Sequence, residues 1–292
     1  MNAQQFLDSV YTTYRGKIQT KTPLFGSDKA NVVLSIANRK KNEWANDTTQ
    51  AWRSLFRMTA PYETGTVATA GTTTLTGTGT YFTDYQVGDR ITVSGETERT
   101  IDSITSDTVL TVSVAFSNTA SGLNFIRSII IKSGITSYNL PRSFITPSDK
   151  VLVTTSTQTY EFSIYSPQKR ASDCYIYGNN PKVLTFSDPI SVTGQLVGGV
   201  LTVPACFLPN DLVNATDLIP VDNPEWLVYI VASELARNDP AKDDQFPTLV
   251  AMANDLYSKM SIANFNLGFL NGGTVYNNMP QISEDLDTDW TV

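Results

Sequence analysis

The chain has 292 residues, a formal net charge of −7 and no histidine. That length allows one large domain or two to three small ones, and the acidic balance argues against a general nucleic-acid binder, which needs a basic face. Without imidazole, Ser-His-Asp and Cys-His nucleophiles and every His-containing metal site are excluded, so catalysis would fall to carboxylates, lysine or tyrosine. The expectation is therefore a non-enzyme without cofactor or metal. Hydrophobic residues make up 41% of the chain and charged residues only 17%, with Thr, Ser, Gly and Asn filling the gap, as in β-rich assembly surfaces. No apolar run approaches the roughly 20 residues of a membrane helix. The opening MNAQQFLDSVYTTY lacks the basic segment and apolar core of a signal peptide, so no membrane partner is expected. Cys174 and Cys206 are expected to be free, buried thiols.

In chain order, Phe6, Leu7, Val10, Tyr11 and Tyr14 form a helical stripe over Asn2 to Tyr14. After Gly16 and Pro23-Leu24-Phe25-Gly26, Ser27 or Asp28 caps a second helix, predicted to run to about Met58 through Val33, Ile36, Ala37, Trp44, Trp52, Leu55 and Phe56. Residues 1–60 hold nine Lys and Arg against four Asp and Glu, a local excess of five positive charges. The densest basic run is Arg39-Lys40-Lys41, either a solvated helix face or a contact with an acidic partner or a DNA channel.

At Ala60-Pro61 the pattern switches to short alternating runs. Thr66–Ala68, Thr73–Thr76, Arg90–Val93, Thr100–Ile104 and Val109–Val112 read as strands, punctuated by Gly77-Thr78-Gly79, Gly88-Asp89, Gly95-Glu96 and Ser106-Asp107. Five or six strands in so short a stretch predict a small closed barrel or sandwich inserted into a host fold. Further strands follow at Arg127–Lys132, Ile129–Ile131, Val151–Val153, Tyr160–Ile164, Val183–Phe186 and Val200–Val203, with prolines between them and long, irregular connections.

Asp222-Asn223-Pro224-Glu225 then opens a helix that Asn238-Asp239-Pro240 stops, and a second opens near Phe246-Pro247. Trp226 to Ala232 is apolar almost all round, which demands cover on several sides by other helices or other copies of the chain. Leu249, Val250, Ala253, Leu256, Tyr257 and Met260 make a helical stripe. The remainder is rich in Asn and Gly, ends in Glu284, Asp285, Asp287 and Asp289, and reads as an extended arm. The fold class is thus α+β. Residues 1–60 and 222–262 form a helical bundle, 61–128 an inserted β-barrel or sandwich, 129–221 a loop-rich β region and 263–292 the arm.

No glycine run has the spacing of a dinucleotide loop or a Walker lysine. The carboxylate pairs Asp84/Asp89 and Glu96/Glu98 could support glycoside hydrolysis, but both fall in predicted turns where acids are normally solvated. Asp239, Asp243 and Asp244 lack the ordered ligand spacing of a calcium loop. Aromatic and apolar side chains are the better candidates for partner contact: Trp226 and Tyr229 on the helix, then Phe269, Leu270, Tyr276, Met279, Ile282 and Trp290 in the arm.

The order of helices, threonine-rich β insertion, proline-linked strands, helix pair and tail resembles head–tail connector (adaptor) proteins of tailed bacteriophages. The likeness rests on the helices Gln4 to Tyr14 and Asp28 to Met58, on DNPEWLVYIVASELARND and FPTLVAMANDLYSKM, and on the stretch TGTVATAGTTTLTGTGTYFTDYQVGDRITVSGE. It implies a virion protein of the neck, assembled in the host cytoplasm, with about twelve copies closing a ring beneath the portal. The ring would surround the DNA channel and receive the next neck or tail protein through extended termini. A tail-tip, baseplate or fibre-associated protein with a glycan- or protein-binding β module is the alternative, and a carboxylate glycoside hydrolase a remote one.

Overall fold

The computed structural model describes residues 1–16, 23–47, 50–59, 61–164, 173–187 and 195–270, the side chains of 266–270 excepted. The chain is α+β, with four α-helices and extended antiparallel sheets. It divides into a helical unit, Met1–Ser54 with Asp211–Val292, and a β unit, Leu55–Asn210.

In the helical unit α1 is Ala3–Arg15. Asn2 and Gln5 close a reciprocal capping box at its start, and Gly16 ends it at φ 69°. The second helix, α2, is Asp28–Ala45, with the Ser27 side chain accepting from Ala30 N–H. It stops well short of Met58. Asn46 turns its N–H back to Asn42 and Trp44 carbonyls, and Trp52 then returns to donate its Nε1–H to Trp44 O at 2.8 Å. The reversal lets the rings of Trp44 and Trp52 meet at 5.0 Å, which a continuous helix would prevent.

Helix α3 (Pro224–Arg237) opens as expected, with Asn223 capping Glu225 N–H and Pro224 in the first turn. It lies against α1, α2 and α4 (Phe246–Leu270). That position accounts for its composition: Leu227, Val231, Ala232 and Ala236 are fully enclosed by the chain's own helices. The last helix corrects the expected arm, since residues 263–270 continue α4. Asn264 explains the continuation. Its Nδ2 donates to Ala51 O and its Oδ1 accepts from Arg53 N–H, each at 3.1 Å, so this turn is pinned to the backbone that follows α2.

Among the described residues the β unit holds sixteen strands. One antiparallel sheet has the order β12-β11-β15-β8-β4-β5-β6-β3-β2-β7. Its members are β2 (Thr66–Ala70), β3 (Thr74–Thr78), β4 (Arg90–Val93), β5 (Arg99–Ser106), β6 (Val109–Val112), β7 (Thr119–Leu123), β8 (Phe125–Ile130), β11 (Lys150–Thr154), β12 (Thr159–Ser163) and β15 (Val200–Thr202). The order has two ends, β7 and β12, so the hydrogen bonds do not close a ring. Two three-stranded sheets complete the unit. One joins β1 (Phe56–Arg57), β16 (Ala205–Phe207) and β10 (Phe144–Pro147); the other joins β13 (Cys174–Tyr177), β14 (Val183–Phe186) and β9 (Ser137–Asn139).

The ten-stranded sheet serves two hydrophobic cores. One gathers Val67, Leu75, Phe82, Ile91, Val93, Ile101, Leu110 and Phe125; the other Ile129, Tyr138, Val151, Val153, Leu184, Phe186 and Leu201. Strand β8 passes from one to the other, pairing with β4 on one side and β15 on the other. Cys174 and Cys206 are free and buried, and burial pushes the Cys174 thiol up to about 12.

Candidate interaction sites

The β8 crossing holds a buried charge cluster that sequence reading passed over. Alternation along β8 puts Arg127 on the same face as Phe125 and Ile129, so it points inward between the two cores. An inward arginine must find partners. It meets Glu63 at 3.4 Å and Asp89 at 3.8 Å, donates to Asn139 O at 2.7 Å and lies 4.3 Å above the Tyr85 ring. Lys132 adds a second cation against Asp89. Burial raises the Glu63 carboxyl above its ordinary range, opposed by the Arg127 charge. The visible signal was the arginine itself, at an inward position of an apolar strand.

Toward the surface the cluster opens into a cleft lined by Glu63, Tyr81, Asp84, Arg127, Pro141 and Arg142. Arg142 donates Nε–H to Asp84 at 2.7 Å and stacks on Tyr81 at 3.5 Å. The acids expected in solvated turns are therefore mostly engaged. Asp89 is buried, Asp84 nearly so, and Glu96 accepts from Ser117 and Asn118 N–H at 2.9 and 2.8 Å. Those two amides hold the Glu96 carboxyl below its ordinary range, the Ser117 contact most of all. Only Glu98 stands open, paired with Arg90.

In the helical unit the basic run is largely neutralised by its own chain. Arg39 and Lys40 both reach Glu43 and Glu234, Lys40 at 2.9 and 3.1 Å. Lys41 is fully buried and bonds Asp211 at 2.9 Å, which takes it out of any channel surface of the subunit. One turn earlier Asn38 bonds both N–H and C=O of Leu212, so α2 clamps the point where the chain re-enters this unit.

Trp226 is buried in an aromatic chain, Trp44–Trp52–Tyr257–Trp226, with successive centroids 5.0, 5.6 and 5.9 Å apart. Tyr229 packs on Ala232, Ala236 and Leu249. Both serve the chain's own core. Phe269 and Leu270 lie in the last turn of α4, and Tyr276, Met279, Ile282 and Trp290 fall outside the described residues. Exposed apolar side chains on helices occur instead at Val32 of α2 and at Met252, Ile262 and Phe265 of α4. Burial, rather than apolar character, separates these from Trp226.

Among the described residues no group of His, Cys, Asp and Glu could hold a metal ion, and no helix is long and apolar enough to cross a membrane. No family model matches the chain, and no curated protein matches it.

Proposed function

We propose that the chain is a structural subunit of a phage virion, a ring-forming head-to-tail adaptor that joins the portal to the tail or the next neck ring around the DNA channel. In this reading the helices form the bundle of the ring wall, the β unit is an insertion, and the chain is not an enzyme. The observation that carries the proposal is the assembly of one helical unit from both ends of the sequence, with the whole β unit between them. Such a unit leaves the exposed face of α4 and the sequence beyond it available to neighbours: the same chain, the portal and the next neck or tail protein.

Charge supports the same reading. With Lys41 buried and Arg39 and Lys40 paired, the subunit offers passing DNA few free cations on α2, which favours sliding over adhesion. Tyr276, Met279, Ile282 and Trp290 remain the proposed anchors of the arm in a partner's groove, with Glu284 to Asp289 selecting a basic one. The test is electron microscopy of the purified chain, alone and with portal protein. Closed rings that stack coaxially on the portal are expected. Dispersed monomers under both conditions would overturn the proposal.

A further inference from the structure

The sheet β13-β14-β9 has one buried face and a second face that is exposed along its edge strand β13. Cys174, Ile176, Leu184, Phe186 and Tyr138 point into the second core. The register places Tyr175 beside Thr185 and Ser137, and Tyr177 beside Val183 and Asn139, on the other side. At spacings of about 4.8 Å between strands, Tyr177 to Asn139 spans about 10 Å.

Tyr175 and Tyr177 are 44% and 50% exposed, with ring centroids 5.8 Å apart and planes tilted by 31°. Two large aromatic rings held side by side on an edge strand form a broad apolar platform in water. The rest of that face is mixed and less exposed: Val183, Ser137 and Asn139 are half-buried and Thr185 is buried. Ser137 and Thr185 hydroxyls bond one another at 2.9 Å, and Asn139 Nδ2 donates to Asp84 O at 3.0 Å. That bond carries the face into the cleft where Asp84, Arg142 and the half-exposed Tyr81 stand. Among the described residues the three phenol oxygens and Asn139 Oδ1 have no hydrogen-bond partner.

This combination selects a ligand class. Two carboxylates, Glu63 and Asp84, face two guanidinium groups, Arg127 and Arg142, so the cleft is balanced in charge and favours neither a polyanion nor a cation. An apolar peptide would leave the phenol hydroxyls and Asn139 Oδ1 without partners. A sugar chain fits both halves: its axial C–H faces pack on the negative faces of aromatic rings, and its equatorial hydroxyls both donate and accept. We propose that the exposed Tyr175–Tyr177 edge of this face, with Asn139 and the adjoining Arg142–Asp84 cleft, binds an uncharged oligosaccharide segment. Tyr175 and Tyr177 stack on it, while Asn139 and the Arg142–Asp84 pair bond its hydroxyls. This inference stands on the β unit and does not rest on the adaptor reading.

The test uses the full chain and a panel of neutral oligosaccharides, cello-, malto- and chito-tetraose with their long-chain polymers, read by calorimetry and saturation-transfer NMR. Heparin serves as the charged comparator. At least one neutral member is expected to bind with a dissociation constant of about 1 mM or tighter, and Tyr175→Ala/Tyr177→Ala to weaken it at least about tenfold. Both side chains are exposed, so circular dichroism should be unchanged. If the double variant fails to fold, Tyr177→Ala alone takes its place, with Tyr177→Phe retaining the platform and the binding. Absence of binding across the neutral panel, binding of heparin alone, or undiminished binding by the alanine variant would each overturn the proposal.

Discussion

A residue's burial, more than its type, decides what its substitution costs. Leu227 is fully enclosed in the first turn of α3, so Leu227→Ala should destabilise the helical unit by about 2–5 kcal/mol in urea titrations. Leu256 belongs to the apolar stripe of α4 but is only half-buried there, and Leu256→Ala should cost clearly less. Equal losses would show that α4 packs through a different face. Glu63 gives a prediction in pH. Its carboxyl has a folded pKa raised above the ordinary 4.5 by burial, so its contribution is fully present below the unfolded value and fades as pH rises through the folded one. Glu63→Gln never acquires that buried charge. Its stability relative to the wild type should therefore climb as pH rises above the ordinary 4.5, read as the difference in urea midpoints. A difference independent of pH would mean that Arg127 fully offsets the burial of the carboxylate.

Among the elements, those with strong local signals were legible. Caps at Ser27 and Asn223 and the proline at 224 mark helix starts that the structure retains, and the longer alternating runs became β2, β4, β6, β11, β12 and β14. What escaped depends on contacts remote in sequence. The true end of α2 is set by Trp52 returning to Trp44, and the last turns of α4 by Asn264 bonding residues 51 and 53. No periodicity records such pairings. Short strands such as β1, β9 and β16 exist only because a partner strand lies beside them. The charge cluster at β8 was half legible, since an inward arginine announces a partner without naming Glu63 or Asp89. The shared strand also bears on modularity. A deletion of residues 62–128 would remove most of β8 and all of its pairing with β4, leaving only Ile129 and Ile130 beside β15, whereas residues 55–210 contain every described strand and both cores. Expressed alone, residues 55–210 should fold with a cooperative thermal transition, and the 62–128 deletion should not preserve the second core. A non-cooperative melt of 55–210 would show that the helical unit is needed to complete it.

For the whole molecule, the two ends of the chain build one unit and the middle builds another, an arrangement suited to a ring wall carrying an inserted module. The sequence beyond α4 then has a defined starting point at Leu270, and the exposed Met252, Ile262 and Phe265 lead toward it along the same helix. Removal of residues 271–292 should leave the helical signal and the melting transition of the chain nearly unchanged while abolishing attachment of the next virion component. Particles assembled with only that shortened form would then be DNA-filled heads without tails, and normal tailed particles would refute a role for the arm. The adaptor reading as a whole turns on where the protein sits in a particle. The most direct measurement is gold labelling of an affinity tag on the chain in intact tailed particles, viewed by electron microscopy. Label confined to the head–tail junction is the predicted result; label at the tail tip or fibres, or particles without label, would contradict it.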